Sequence, residues 1–235
     1  LWDEKGVVGY LKYGEKPAAC NRLEKEKQIL AVLPDGLGPS VLKYGTMGDG
    51  VALLVTPVFG QALPATLPPA GSLREFLAIL ERHAPLALDD HPWVRMKREL
   101  HGHKLDAWLD VLSGRRWPVV LHHGDCAPWN IMRISNGNLQ AIDWEYGTPH
   151  GFPYLDLAQY ILQVAPLIYR WSPEGARAYA TKYLCEHAWP TVTRAEAEAL
   201  VDLAAYSAYM QSREDGQPDD ARLQRWRRAL WEFKK

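Results

Sequence analysis

Three cysteines are spread over 235 residues, at 20, 126 and 185, and no two form a C-x-x-C pair. Such spacing argues against a disulfide framework and a structural zinc site. It points to a reducing, cytoplasmic compartment. Charge of one sign is also lacking: 27 Lys and Arg stand against 28 Asp and Glu, for a net charge of −1. No global basic field exists to hold nucleic acid or an anionic membrane. Long apolar runs are missing as well. Val51–Val55 continues toward Phe59 only through Thr56 and Pro57, whereas a spanning helix needs about 20 apolar residues. The opening Leu1-Trp2-Asp3-Glu4-Lys5 has neither signal-peptide character nor an initiator Met, so upstream residues are expected to have been removed or left unresolved. No internal repeat is visible.

What the chain does have is a globular composition, 47% apolar and 23% charged. Its length suits one large domain or two small ones. Residues 1–59 read as strands around one helix. Val7-Val8-Gly9-Tyr10-Leu11 is rich in β-formers and follows a charged turn, Asp3-Glu4-Lys5-Gly6. Asn21-x-x-Glu24 has the capping-box pattern and predicts a helix start, with the stop at Pro34-Asp35-Gly36. Val41–Tyr44 and Val51–Val55 predict two strands joined by a turn over 45–50.

Thr56–Gly71, rich in Pro and Gly, reads as the connection to a second lobe of helical character. There, Ser72-x-x-Glu75 predicts a cap for a helix over Leu73–Arg82. Asp90 and Pro92 predict a long helix to about Leu112, stopped by Ser113-Gly114. Val119–His123 and Leu139–Asp143 predict short strands. Ser172-Pro173 and Thr193-x-x-Glu196 open two further helices, and a last one spans about Ala221–Phe233. The expected class is α+β, with a small antiparallel β lobe over 1–59 and a larger, mainly helical lobe over 60–235.

The chemistry concentrates in His122-His123-Gly124-Asp125-Cys126-Ala127-Pro128-Trp129-Asn130 and, shortly after, Ala141-Ile142-Asp143-Trp144-Glu145. A predicted strand runs into the first string, and a second strand delivers Asp143 from a hairpin partner. Phosphoryl transfer needs this set of groups: a carboxylate to accept a hydroxyl proton, and an amide oxygen and second carboxylate to hold Mg²⁺ against phosphates. Hard oxygen donors suit Mg²⁺ better than His or Cys would.

The string H-G-D-x-x-P-x-N followed by I-D-W-E resembles the signature of the aminoglycoside phosphotransferase and choline kinase-like family. Those small-molecule kinases share the two-lobed protein-kinase fold. The resemblance implies an ATP-dependent, Mg²⁺-requiring phosphotransferase acting on a small-molecule hydroxyl, with GTP the other donor compatible with such a site. It implies Asp125 as the base and Asn130 and Asp143 as metal ligands. His123 would brace the loop, and Asp156, within Pro153-Tyr154-Leu155-Asp156-Leu157-Ala158, would support it. In the small lobe, Lys12 resembles the phosphate-contacting Lys and Glu26 its ion-pair partner, Glu24 being the competitor assigned to the cap. Thr56, Pro57, Val58 and Phe59 would form the hinge that reads adenine.

One departure stands out. Only eleven residues precede Lys12, too few for the family's phosphate-covering hairpin, so an N-terminal truncation is expected, a native minimal lobe being the alternative. Gly124 in place of Arg, and no A-P-E string, argue against a protein kinase. A nucleotide-binding scaffold without transfer is the competing class, and a hydrolase metal cluster built on His122 and His123 with Asp125 and Asp143 is another. Tyr206, Tyr209, Trp226 and Trp231 fall at helical spacing and read as core packing. His101, His103 and the Arg225, Arg227, Arg228 group read as solvated. The acceptor stays open among aminoglycosides, sugars and amino alcohols. Glu186, Glu196, Glu198, Asp202, Glu214, Asp215, Asp219 and Asp220 supply acid, most of it fitting exposed faces and turns.

Overall fold

The computed structural model describes residues 1–4, 6–188 and 190–232. Lys5 of the charged turn and Phe233 of the expected last helix lie outside that range. Contacts divide the chain into two compact units, residues 1–64 with 123–149 and residues 65–122 with 150–235.

In the first unit, a short hairpin of β1 (Trp2–Asp3) and β2 (Gly6–Val7) precedes β3 (Tyr10–Gly14). This strand pairs antiparallel with β5 (Gly50–Val55), and β5 pairs with β4 (Val41–Met47), in the order β3-β5-β4. Leu53 in the central strand is fully buried. Helix α1 (Pro17–Val32) packs on all three strands through a face that buries Leu23, Glu26, Ile29 and Leu30. It begins earlier than the capping-box pattern predicts. Pro17 occupies the first turn, where its fixed φ and missing N–H cost nothing. Asn21 and Glu24 therefore lie inside the helix, and Glu24 pairs with Lys27 at 3.0 Å instead of capping.

The Pro-rich connection is not featureless. It contains β6 (Gly60–Ala62), which pairs with β9 (Ile131–Ile134), and β9 pairs with β10 (Leu139–Ala141). Both ladders are antiparallel.

The second unit holds most of the helix. Helix α2 (Gly71–Ile79) starts after Ala70 with no side-chain cap, so Ser72 does not play the expected part. A strand follows that the sequence does not announce, β7 (Glu81–Ala87), paired to β8 (Arg116–His122) in a sheet ordered β11-β8-β7 with β11 (Thr148–Gly151). The single long helix expected before Leu112 is two, α3 (Pro92–His101) and α4 (Asp106–Leu112). Gly102 breaks it with φ of 58° and ψ of −141°, a conformation glycine takes without penalty.

Helices α5 (Leu155–Leu167), α6 (Pro173–His187), α7 (Arg194–Glu214) and α8 (Arg222–Glu232) complete the unit. Two starts agree with the sequence. Ser172 Oγ accepts the Gly175 N–H, and Thr193 with Glu196 forms a complete capping box. Helix α7 contacts α4, α5, α6 and α8 and is the centre of this core. Tyr206 and Tyr209 are buried, each edge-on to Trp231, and Trp226 Nε1 donates to the Trp171 carbonyl. Among the described residues no helix is long and apolar enough to cross a membrane.

Asp202 departs from the exposed-face reading of the acidic residues. It is 0% exposed and takes two hydrogen bonds from Arg177, Nε at 2.7 Å and Nη2 at 3.0 Å, which join α6 to α7. Removing one partner of a buried pair strands the other charge in a low-dielectric site. Asp202→Ala is therefore expected to cost about 3–5 kcal/mol. Urea unfolding of the variant checks it, and a loss below about 1 kcal/mol, the range of an exposed pair, would contradict the buried assignment.

Candidate active site

All residues of the two motif strings from His123 onward belong to the first unit, together with Lys12 and Glu26. The strand after the catalytic-type loop decides their arrangement. Asn130 immediately precedes β9 and Asp143 follows β10 by two residues. Register pairs Ala141 with Ile131, and the Ile142 N–H donates to the Asn130 carbonyl at 2.9 Å. Asn130 and Asp143 thus sit at the same open end of one hairpin. This corrects two expectations: the strand carrying Asp143 ends at Ala141, and its hairpin partner is Ile131–Ile134, a strand absent from the sequence reading.

Asp143 adopts a left-handed conformation, φ 60° and ψ 58°, and starts a single turn of 3-10 helix over Trp144–Tyr146. Asp tolerates this region better than most residues because its short side chain can bond locally. Its carboxylate meets Lys12, with Nζ 2.5 Å from Oδ1. Lys12 lies in the middle of β3, opposite Leu53. The same ammonium bonds both oxygens of Glu26, at 2.7 and 2.8 Å. Glu26 is 1% exposed and also accepts the Trp144 N–H at 3.3 Å. Glu24 takes no part in this cluster.

Burial alone would lower the Lys12 pKa, but the charges and hydrogen bonds of Glu26 and Asp143 outweigh it and raise the value above the ordinary 10.5. A raised lysine pKa means that its stabilising contribution is complete below pH about 10.5 and is lost only as pH rises beyond that. Lys12 is therefore charged throughout the neutral range.

The loop holding Asp125 is fixed from both sides. Asn130 Nδ2 donates to the Asp125 carbonyl and to its Oδ2, both at 3.0 Å. The Asp125 N–H donates to His123 Nδ1 at 3.2 Å, so the ring proton is on Nε2, which donates to the Ile142 carbonyl at 2.8 Å. His123 is fully buried against the Trp144 ring. Gly124 has φ of 81°, and a Cβ there would overlap the Tyr146 carbonyl oxygen. The glycine that replaces the protein-kinase Arg is thus required by the backbone.

His122 and His123 do not form a cluster. His122 Nε2 lies 2.9 Å from Asp156 Oδ1 in the second unit, close enough for an ion pair but not aligned as a hydrogen bond. Among the described residues no three His, Cys, Asp or Glu side chains converge as a metal cage. The donor chemistry at the hairpin end does fit a hard cation. Asn130 commits its amide nitrogen to Asp125, so its oxygen is the atom that could ligate a cation, beside the Asp143 carboxylate.

The predicted hinge residues, Thr56–Phe59, follow β5 directly, and Val55 pairs with Tyr10, two residues before Lys12. The Thr56 N–H is spent on the Ser40 carbonyl, and its Oγ1 accepts the Ser40 N–H. Pro57 has no N–H. Val58 is half-buried and Phe59 exposed. A cavity of about 360 Å³ within the second unit, between α2, β8 and Phe152–Leu157, includes Asp156 alone of the predicted set. Two residues outside that set adjoin the Asp143 turn: Glu145, whose pKa burial raises against the pull of Arg22 and Lys12, and Arg22 itself. The signal that could have found Arg22 is its spacing of one helical turn before Glu26.

No family model matches the chain, and no curated protein sequence does. Solved structures do resemble it. An ethanolamine kinase from Plasmodium vivax superposes with a TM-score of 0.55 at 15% identity, covering 97% of this chain and 75% of that one. An aminoglycoside phosphotransferase from Streptomyces rimosus, solved with ADP and streptomycin, gives a TM-score of 0.49 at 20% identity, covering 86% and 88%. The chain has the kinase-like α+β fold of the ethanolamine kinase.

The Gly124 geometry carries its own test. Gly124→Ala adds both a left-handed penalty and an overlap with fixed backbone, so it is expected to destabilise the protein by at least about 2 kcal/mol. Thermal unfolding measures this, and an unchanged melting temperature would show that the loop is not held against Tyr146.

Proposed function

We propose that the chain is a small-molecule kinase that moves the γ-phosphate of a nucleoside triphosphate, ATP or GTP, to a substrate hydroxyl with Mg²⁺ bound. The observation that supports it most is one charged Lys held between a buried and an exposed carboxylate, beside a hairpin end that presents Asn130 and Asp143. In this reading residues 1–59 hold the nucleotide, and residues 60–235 carry the catalytic loop and the acceptor surface. Thr56 and Pro57 have no backbone N–H to give, so in this reading the adenine edge falls to the backbone of Val58 and Phe59. Lys12 faces the phosphates, with Glu26 fixing its position.

Asp125 orients the acceptor hydroxyl and takes its proton as the oxygen attacks in line. Asn130 anchors that carboxylate from one side, and His123 holds the loop backbone from the other. Asp156, beside His122, steadies the residue that leads into the loop. Asn130 and Asp143 would hold the metal ion, which when bound offsets charge on the phosphates. The likeness to an ethanolamine kinase puts amino alcohols on the acceptor panel with sugars and aminoglycosides.

Asp125→Asn keeps the shape, and its amide oxygen can still accept from Asn130 Nδ2, but it removes the base. Turnover should fall by about 10²–10⁴-fold with nucleotide affinity nearly kept. Steady-state phosphoryl transfer to the acceptor panel reads this, and full turnover in the variant would reject Asp125 as base. A wild-type chain that binds Mg·ATP but phosphorylates nothing would favour the scaffold reading.

Asp143→Ala should abolish Mg²⁺-dependent nucleotide binding, and Asn130→Ala should weaken it less, because a carboxylate offsets metal charge and an amide does not. Calorimetry with and without Mg²⁺ measures both. Unchanged affinity in the two variants would remove the metal site from the proposal.

A further inference from the structure

The turn from Asp143 to Tyr146 carries one end of the Lys12 cluster, yet no strand pairing holds it. Its tethers run to α1. At one, the Trp144 N–H donates to Glu26. At the other, Arg22 Nε lies 3.4 Å from Glu145 Oε2, and the guanidinium lies 5.9 Å from the centroid of the Tyr146 ring. Arg22 and Glu26 are four residues apart, so both extend from the same face of α1. On its far side the turn meets the loop of Asp125, because the Tyr146 carbonyl occupies the space that Gly124 leaves empty.

A guanidinium suits this place. It can pair a carboxylate with one edge and lie against an aromatic ring, which a lysine ammonium does less well. The pair is half-buried, with Arg22 at 29% and Glu145 at 33% exposure, so it is screened less than a surface ion pair. We infer that Arg22 is a positioning residue: through Glu145 and Tyr146 it sets the turn that places Asp143 against Lys12 and Tyr146 against Gly124. It does not belong to the groups proposed to touch nucleotide or acceptor. Its loss should therefore appear in turnover more than in nucleotide binding. A shift of about 1 Å in a positioned group can cost up to 10²-fold in rate.

The activity limb of the test rests on the phosphotransfer reading, so a second limb does not. Arg22→Gln, Arg22→Lys and Glu145→Gln are compared with wild type by hydrogen exchange and by steady-state kinetics. In Arg22→Gln, amide exchange over residues 143–147 should rise about 5-fold while the β3-β5-β4 sheet is unchanged. Turnover should fall about 10-fold with nucleotide KM moved by less than about 2-fold, and Arg22→Lys should recover part of the loss. The double variant Arg22→Gln/Glu145→Gln should be no worse than Arg22→Gln alone, since Glu145 acts through Arg22. Unchanged exchange at 143–147, exchange raised evenly across the unit, or additive losses in the double variant would each overturn the inference. If the wild-type chain transfers phosphate to no acceptor, the phosphotransfer reading fails, and the exchange limb still decides whether Arg22 holds the turn.

Discussion

The Lys12 ammonium, shared by Glu26 and Asp143, is the contact on which the arrangement of the first unit depends. It ties together β3, α1 and the turn after β10, and the last of these lies 131 residues from the first. Glu26 is nearly inaccessible, and a buried carboxylate without a partner would be expensive. Helix α1 can therefore sit only where Glu26 reaches Lys12. The short link Glu15-Lys16 between β3 and α1 helps, because it forces the helix back over its own sheet. Such a pair adds little net stability, since desolvation offsets most of the attraction. What it specifies is position.

Around that joint, the loop is built mainly from side chains that bond backbone. His123 reaches the Ile142 carbonyl, Asn130 reaches the Asp125 carbonyl, and Trp144 gives its N–H to Glu26. The second closes the Asp125 loop on itself, and the first and third link the string near Asp125, or α1, to the segment around Asp143. The β9–β10 hairpin does the same through its ladder. Two strings separated in sequence are thereby locked at a fixed offset, which a set of flexible surface residues would not achieve. Gly124 completes the lock by letting the Tyr146 carbonyl approach the backbone directly.

How legible this was depended on the range of the interactions. Caps are local, and Ser172 and Thr193 announced α6 and α7 correctly. The Asn21-x-x-Glu24 pattern misled because Pro17 already offered a better first turn, and a capping pattern cannot show that a helix has begun upstream. Gly102 looked like a residue a helix could tolerate, but its positive φ split α3 from α4. Strands β6, β7 and β9 are short or polar and exist because a distant partner pairs with them, which composition does not carry. The motif residues were visible as types at a spacing. Their couplings were not, since these follow from the β9–β10 register and from the left-handed turn at Asp143. The same reasoning explains Asp202: an acid in a polar helix reads as exposed until Arg177 on the neighbouring helix is known to face it.

The two carboxylates around Lys12 are not equivalent, and the difference bears on what the cluster can do. The Glu26 side chain is 1% exposed and binds the ammonium with both oxygens, whereas the Asp143 side chain is 48% exposed and offers it one. An exposed ion pair is weakened by solvent and salt far more than a buried one. The Lys12–Glu26 limb is therefore the fixed one and the Lys12–Asp143 limb the exchangeable one. Drawing Asp143 toward a cation would leave Lys12 still anchored by Glu26, with one direction of its ammonium open to an anion. A single rearrangement would then set a positive site beside a carboxylate turned to a cation, the pairing of charges that the proposed binding of a metal–nucleoside triphosphate calls for.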